Sequence, residues 1–317
     1  MRKYLVRRVL QALPILLGIT LISFFIIHLA PGDPLAMDIE GTKISPEAIQ
    51  IRREQMNLDK PIPVQYWIWV KGLVRGDFGW SFQDGRPIVE HLKERIPITL
   101  LIMGIPMLIA VLVSIPLGII SATRQYSLAD QCATVFAFLG ISIPNFWFGI
   151  VLMMIFSLWL GWLPATGLKT IGAPFSIADR AKYLIMPTIV LATGQMASLV
   201  RYVRSSMLEV IRQDYVRTAR AKGVSERLVI YKHALKNAMI PVVTILALMM
   251  PGLLGGALMT ENVFALPGMG RWTVRAVFYR DYPAVMASLT VSSVMIVAFN
   301  LIADILYGFL DPRIKYD

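Results

Sequence analysis

The chain has 317 residues and is 56% hydrophobic but only 16% charged, against about 25% charged in ordinary soluble domains. A soluble domain of this length needs more polar surface than that, so the composition excludes the class and indicates an integral membrane protein. The net charge of +11 suits excess Lys and Arg in cytoplasmic loops, and at this apolar content it argues against a nucleic-acid partner.

Crossing a hydrocarbon core of roughly 30 Å takes about 20 apolar residues as helix. Residues 1–8 carry Arg2, Lys3, Arg7 and Arg8 and precede an apolar span at 9–32, with His28 near its end. That span is too long for the h-region of a signal peptide, and Pro31 follows Ala30 where cleavage would fall, so it reads as a retained anchor. His28 is expected to have an interfacial or hydrogen-bonded role. The segment 33–97 is too long for a bare connector. It is expected to fold on the external face with short helices at 47–56, 62–75 and 86–95.

A second span covers 98–122 and contains Pro106 and Pro116. A third covers 132–160; it starts at the only cysteine, Cys132, and contains Pro144. Cys132 is expected to be a small buried hydrophobe. Trp147, Trp159 and Trp162 read as interface anchors. The fourth span, 184–203, has only 17 uncharged residues at 184–200. The fifth, 237–260, contains Pro251 and a Gly252/Gly256 pair at a helix-packing spacing. An external segment at 261–283 is expected to lie along the surface as an amphipathic piece. The sixth span is 284–308, leaving 309–317 as a cytoplasmic tail.

Lys and Arg counts orient the chain. With the N-terminus inside, the inner segments hold 16 and the outer ones 15; without 31–97, which is too long to steer insertion, the balance is 16 against 6. The expected architecture is therefore an all-α integral membrane protein with six transmembrane helices, both termini inside.

Between the fourth and fifth spans lies a cytoplasmic loop at 204–236 with the sequence DYVRTARAKGVSERLVIYKHALKNAMIP over 214–241. Met207, Ile211, Tyr215 and Ala219 recur every four residues and predict one apolar helix face. Gly223 is placed to end that helix in the left-handed conformation, with Arg220 and Lys222 at the negative end of its dipole. Ser225 is a candidate N-cap for a second helix, with Glu226 at its first position and Leu228, Tyr231, Leu235 and Met239 as its stripe. Two readings follow: a docking element for a groove on another protein, or a basic loop against anionic membrane lipid. The order of stripe, glycine and cap favours docking.

This loop resembles the cytoplasmic loop of importer-type ABC-transporter permeases. In the general pattern Glu-Ala-Ala is followed after three intervening residues by Gly, and after nine more by Ile-x-Leu-Pro. Here Gly223 fits, the Glu-Ala-Ala positions read Arg217, Thr218 and Ala219, and the later ones read His233, Ala234, Leu235 and Lys236. The forms DYVRTARAKG and HALKNAMIP are similar to those of the dipeptide/oligopeptide permease family. So are RRVLQALPILLGITLISFFIIHLAPGDP at 7–34, GDFGWSF at 76–82, ERIPITLLI at 94–102, IPNFWFG at 143–149, RSSMLEV at 204–210, ENVFALPGMGRW at 261–272, RDYP at 280–283 and ADILYGFLDPRI at 303–314.

The resemblance implies an importer-type ABC permease fold. It implies a second homologous permease subunit, two cytoplasmic ATPase subunits that use ATP and Mg, an external solute-binding protein docking on 33–97, and a peptide substrate. The coupling element would be Asp214, Tyr215, Arg217, Thr218, Ala219, Arg220, Ala221, Lys222 and Gly223, with Asp214 the nearest acidic residue for an ATPase contact. The chain contains no Gly-x-x-x-x-Gly-Lys-[Ser/Thr] phosphate loop, so no cofactor of its own is expected and hydrolysis falls to other chains.

Pro144, Asn145, Gln195 and Asn300 are candidates for lining a translocation path; the polar three serve equally well as contacts between helices. No catalytic residue and no metal ligand set is expected. Within the class the same machinery could import nickel or glutathione. An ion-coupled secondary transporter would usually keep an ionisable group deep in a span, and no span here has one near its middle.

Overall fold

The computed structural model describes residues 2–29 and 46–310. Its regular structure is helical, and among the described residues the only β pairing is an isolated bridge between Trp80 and Pro87. The helices are α1 (Arg2–Leu29), α2 (Pro46–Gln55), α3 (Ile62–Val74), α4 (Ile88–Thr123), α5 (Leu128–Ser142), α6 (Asn145–Leu152), α7 (Ile177–Ile211), α8 (Asp214–Ala221), α9 (Glu226–Leu228), α10 (Leu235–Val263), α11 (Met269–Phe278) and α12 (Tyr282–Leu310). Wider, π-type turns continue α6 over Met153–Trp159 and join α9 to α10 over Val229–Ala234. The PGDP motif at 31–34 and the tail 311–317 lie outside the described residues, as do the surroundings of Gly252 and Gly256.

Among the described residues five helical stretches are long and apolar enough to cross a membrane: Arg7–Leu29, Ile88–Thr123, Ile177–Ile211, Glu226–Pro251 and Tyr282–Ile305. A sixth crossing counts if Leu128–Ser142 and Asn145–Trp159, which meet at 102°, form one span. The 132–160 segment is therefore not a single straight helix. The residue before a proline is pushed out of the helical region, and here Ile143 is extended at ψ 121°, with Pro144 at ψ 132° completing the break.

The chain divides into two compact units, Met1–Ile98 with Gly268–Val297, and Thr99–Pro267 with Ala298–Asp317. In the first, Ile88 and Leu92 of α4 pack with Met269, Trp272 and Ala276 of α11 and with Ala284, Val285 and Ala287 of α12. This packing explains why the short helix expected at 86–95 is instead the first turns of α4. Tertiary burial of Ile88 and Leu92 holds the helix through Pro97, which forfeits only one backbone bond. Trp272 is buried, stacked on His91 at 5.4 Å and covered by Arg95 at 5.2 Å, whereas Phe278 and Tyr279 remain exposed.

Asp281 organises this unit. It is 1% exposed and accepts hydrogen bonds from Ser81 Oγ, from the backbone N–H of Phe82 (3.1 Å) and Gln83 (3.4 Å), and from that of Ala284 (3.3 Å), which caps α12. Replacing it with Ala removes a cap and strands several buried donors, an expected loss of about 3 kcal/mol. The variant Asp281→Ala should lower the thermal midpoint of the purified protein clearly, and Asp281→Asn, which keeps one acceptor oxygen, by less.

In the second unit α7 is the central helix, packed against α5, α6 and α10. Gly140 lets α5 approach closely: a β-carbon there would sit 2.8 Å from Ala197 Cβ and 3.2 Å from the Thr193 carbonyl oxygen. A second cluster joins Ile119 and Ala122 of α4, Val203 and Met207 of α7, and Ala234, Ala238 and Val242. The buried residues of α5 are Asp130, Ala137 and Gly140. Cys132 lies off that face and is exposed, contrary to the burial expected for it.

Candidate functional site: the basic elbow

The basic segment forms a helix, a tight turn and a second helix, but the first helix is shorter than its four-residue stripe suggested. α7 ends at Ile211, and α8 starts afresh at Asp214 after an extended Gln213 (ψ 149°). The buried side of α8 is Val216 and Ala219, which pack with Val229, Val210 and Val224. Tyr215 is 43% exposed, and on the far side Leu228 and Tyr231 are exposed as well. There Val229, Ala234 and Ala238 are the buried residues. The stripe failed because it assumed one uninterrupted helical phase, and the breaks at 212–213 and 229–234 reset it.

The turn itself has the conformation expected of Gly223. Its φ is +76°, a region L-residues rarely enter. Gly223 N–H donates to the Arg220 carbonyl (3.0 Å), and Val224 N–H donates to the Ala219 carbonyl (3.3 Å). These two bonds make a Schellman motif, and Val224, the residue just beyond, packs against the same buried cluster as Ala219. Ser225 occupies the N-cap position of α9 without a side-chain cap bond; its carbonyl accepts from Leu228 and Val229.

Two side-chain contacts brace the elbow. Arg220 holds Glu226 across the turn with Nε to Oε2 at 3.0 Å and Nη2 to Oε1 at 2.7 Å. Hydrogen bonding to the Glu226 carboxylate raises the Arg220 guanidinium further above its already high range, so it stays charged at any accessible pH. Tyr215 Oη accepts from Asn237 Nδ2 at 2.9 Å, tying α8 to the start of α10. The remaining polar residues point outward: Asp214 and Arg217 lie 3.6 Å apart with side chains 97% and 75% exposed, Thr218 returns its hydroxyl to the Asp214 carbonyl, and Ala221 and Lys222 are exposed. A small braced helix thus presents one acidic and several basic groups on a convex surface.

Sequence reasoning missed the ion pair behind this element. Asp130, on α5, is buried, caps the Tyr126 N–H at 2.9 Å, accepts from Ser121 Oγ, and takes Arg204 of α7 in two bonds of 2.7 and 2.9 Å. Its local signal was Ser127 three residues earlier, which caps α5 by accepting from Asp130 N–H. Nothing local signals Arg204 as the partner, 74 residues away.

The candidate path residues are dispersed. Pro144 and Asn145 stand at the α5–α6 break, and a β-carbon at Gly194 of α7 would lie 3.6 Å from Asn145 Oδ1. Gln195 follows on α7, 6% exposed, and its Oε1 is buried without a hydrogen-bond partner. Asn300 is an exposed residue of α12. Among the described residues no three His, Cys, Asp or Glu side chains are placed to share a metal ion.

The described residues are thus those of an all-α polytopic protein, with five or six helices long and apolar enough to cross a membrane and a capped basic elbow between two of them. The chain belongs to the family of binding-protein-dependent transport system inner membrane components: that family's signature matches residues 114–316, and its N-terminal signature matches 1–103. It is 47% identical to the oligopeptide transport system permease protein AppB of Bacillus subtilis and 41% identical to the dipeptide transport system permease protein DppB of Alkalihalophilus pseudofirmus, in each case over the whole of both chains. It is 39% identical, again over both full lengths, to the glutathione transport system permease protein GsiC of Salmonella typhimurium. A crystal structure of an amino acid ABC transporter shares the fold, with a TM-score of 0.51 at 14% identity, covering 70% of this chain and 94% of that one. The protein is thus a multi-pass inner-membrane permease subunit of an ABC importer and works within a transporter complex.

Proposed function

We propose that this chain forms half of the membrane path through which di- and oligopeptides enter the cell. The observation that carries the reading is the end-to-end identity of 47% with an oligopeptide permease, supported by that with a dipeptide permease. In this reading the chain pairs with a second homologous permease, receives cargo from an external solute-binding protein, and is driven by two cytoplasmic ATPases that bind the ATP and Mg. The chain itself binds no cofactor. Both termini face the cytoplasm, and the spans are those set out from the sequence, with 204–236 inside.

The elbow of Asp214–Ala221, Lys222 and Gly223 is the coupling element. Its convex charged face enters a cleft on one ATPase, and closure of the ATPase pair pulls α8 and so moves α7 and α10 between inward and outward access. Pro144, Asn145 and Gln195 line the path near the α5–α6 break, with Asn300 on α12. The unpaired Gln195 Oε1 supports this, since a buried acceptor without a partner costs about 1–3 kcal/mol unless something satisfies it.

The decisive experiment reconstitutes the complex encoded with this chain in proteoliposomes and follows labelled peptides. Uptake is expected to require ATP, both permeases and the binding protein, and unlabelled peptides should compete better than glutathione or nickel. Uptake by this chain alone, driven by an ion gradient, would overturn the reading.

A further inference from the structure

Helix α3 is set against α1 in an informative way. Its 13 residues, IPVQYWIWVKGLV, include no acid and a single base, Lys71. At its start Gln65 Oε1 meets His28 Nε2 at 3.1 Å, level with the end of α1. The rings of Tyr66 and Trp69 then lie 5.3 and 6.4 Å from that of Phe24. Tyr66 Oη reaches Thr20 Oγ1 at 3.1 Å and the Leu17 carbonyl at 3.4 Å.

The membrane-crossing stretch of α1 is Arg7–Leu29, whose midpoint is residue 18. At 1.5 Å per residue, Phe24 lies about 7–8 Å and Thr20 about 13–14 Å in from Leu29, close to half of a roughly 30 Å hydrocarbon core. Tyr66 and Trp69 of α3 therefore pack against the Leu29 half of the span. Val64 and Trp67 are 43% and 57% exposed, whereas Ile68 borders a cavity with Phe24, His28, Asn57 and Asp77. On α1 itself Ile15, Ile22 and Ile26 are exposed as well. The lone cation lies with Nζ 5.4 Å from the Trp67 ring centroid, a pairing that suits a lysine at an apolar boundary.

We infer that α3 is embedded in the half of the bilayer at the Leu29 end of α1, with lipid acyl chains covering Val64 and Trp67, rather than standing in water as part of the external segment. Tyr66 is its anchor, because a hydroxyl at that depth needs the partners Thr20 and Leu17 supply. On the orientation proposed above this half is the outer leaflet. By contrast α2, with a polar sequence and Ile51 exposed, is the aqueous reference.

The test places single cysteines at Val64, Trp67 and Ile51 in a Cys132→Ala background, spin-labels them in the assembled transporter in lipid nanodiscs, and compares collision rates with oxygen and a water-soluble nickel chelate. The labels at 64 and 67 are expected to show an oxygen-to-nickel ratio several-fold above that at 51. A ratio equal to that at 51 places α3 in water, and low access to both reagents places it under another protein chain; either result overturns the inference. The ratio reads depth alone, so an inverted topology would leave it unchanged and would be detected separately by impermeant thiol labelling.

Discussion

Replacing Gly223 with Val should reduce peptide uptake by roughly 5–30-fold while leaving the amount of protein in the membrane unchanged. The left-handed conformation costs an L-residue roughly 1–2 kcal/mol, and a β-branched one more, enough to shift a conformational population by that factor. A β-carbon at Gly223 would meet nothing within 4 Å, so the penalty is one of backbone conformation and not of steric overlap. Asn tolerates positive φ, and Gly223→Asn is expected to transport almost normally, with Gly223→Ala in between. Glu226→Gln is the control: it weakens a surface ion pair worth about 0.2–1 kcal/mol and should change uptake little. ATPase activity of the reconstituted complex, measured beside uptake, completes the test, since under the proposed coupling role an elbow that no longer fits its partner would uncouple the two. Equal loss in the Val and Asn variants would show that the glycine is needed for something other than its turn.

The second large effect is expected at Asp130. Its carboxylate is held by Ser121, the Tyr126 N–H and both donors of Arg204, and its side chain is only 5% exposed. Removing one partner of such a pair leaves the other charge uncompensated and typically costs about 3–5 kcal/mol. Asp130→Ala should therefore lower the thermal midpoint of the purified complex by on the order of 10 °C. The double variant Asp130→Ala with Arg204→Ala should be no less stable than Asp130→Ala alone, because the stranded guanidinium is gone as well. Strict additivity of the two single losses would mean that the residues do not act as a pair. The pair fixes the start of α5 to α7 two turns above the elbow. If the elbow couples as proposed, motion delivered through α8 to α7 would reach the helix that carries the α5–α6 break.

The sequence also shows where pattern reading succeeds and fails. Chain composition and the lengths of the uncharged stretches identified a helical membrane protein, because hydrocarbon demands internally bonded backbone whatever packs around it. The left-handed turn was legible at Gly223 because its cause is local: one residue without a β-carbon between two amphipathic stretches. The four-residue stripe through Met207 and Tyr215 misled for the opposite reason, since a periodicity has meaning only within a single helix.

His28 was read as hydrogen-bonded, and it is, to the Phe24 carbonyl and to Gln65. The partner Gln65 was not foreseeable. Partners distant in sequence were invisible throughout: Arg204 for Asp130, Ser81 for Asp281, Thr99 for the fully buried Glu261 at 2.6 Å.

By itself, then, the sequence determined the apolarity of the long helices, the charge of the loops and the left-handed turn at Gly223, because each depends on residues within a few turns of one another. Only the tertiary structure decided that the helix of 88–95 runs on into α4, that Cys132 is exposed and that α3 packs against α1. Those outcomes depend on which faces find partners far along the chain, a choice made by burial and by pairing of polar groups that no local pattern encodes.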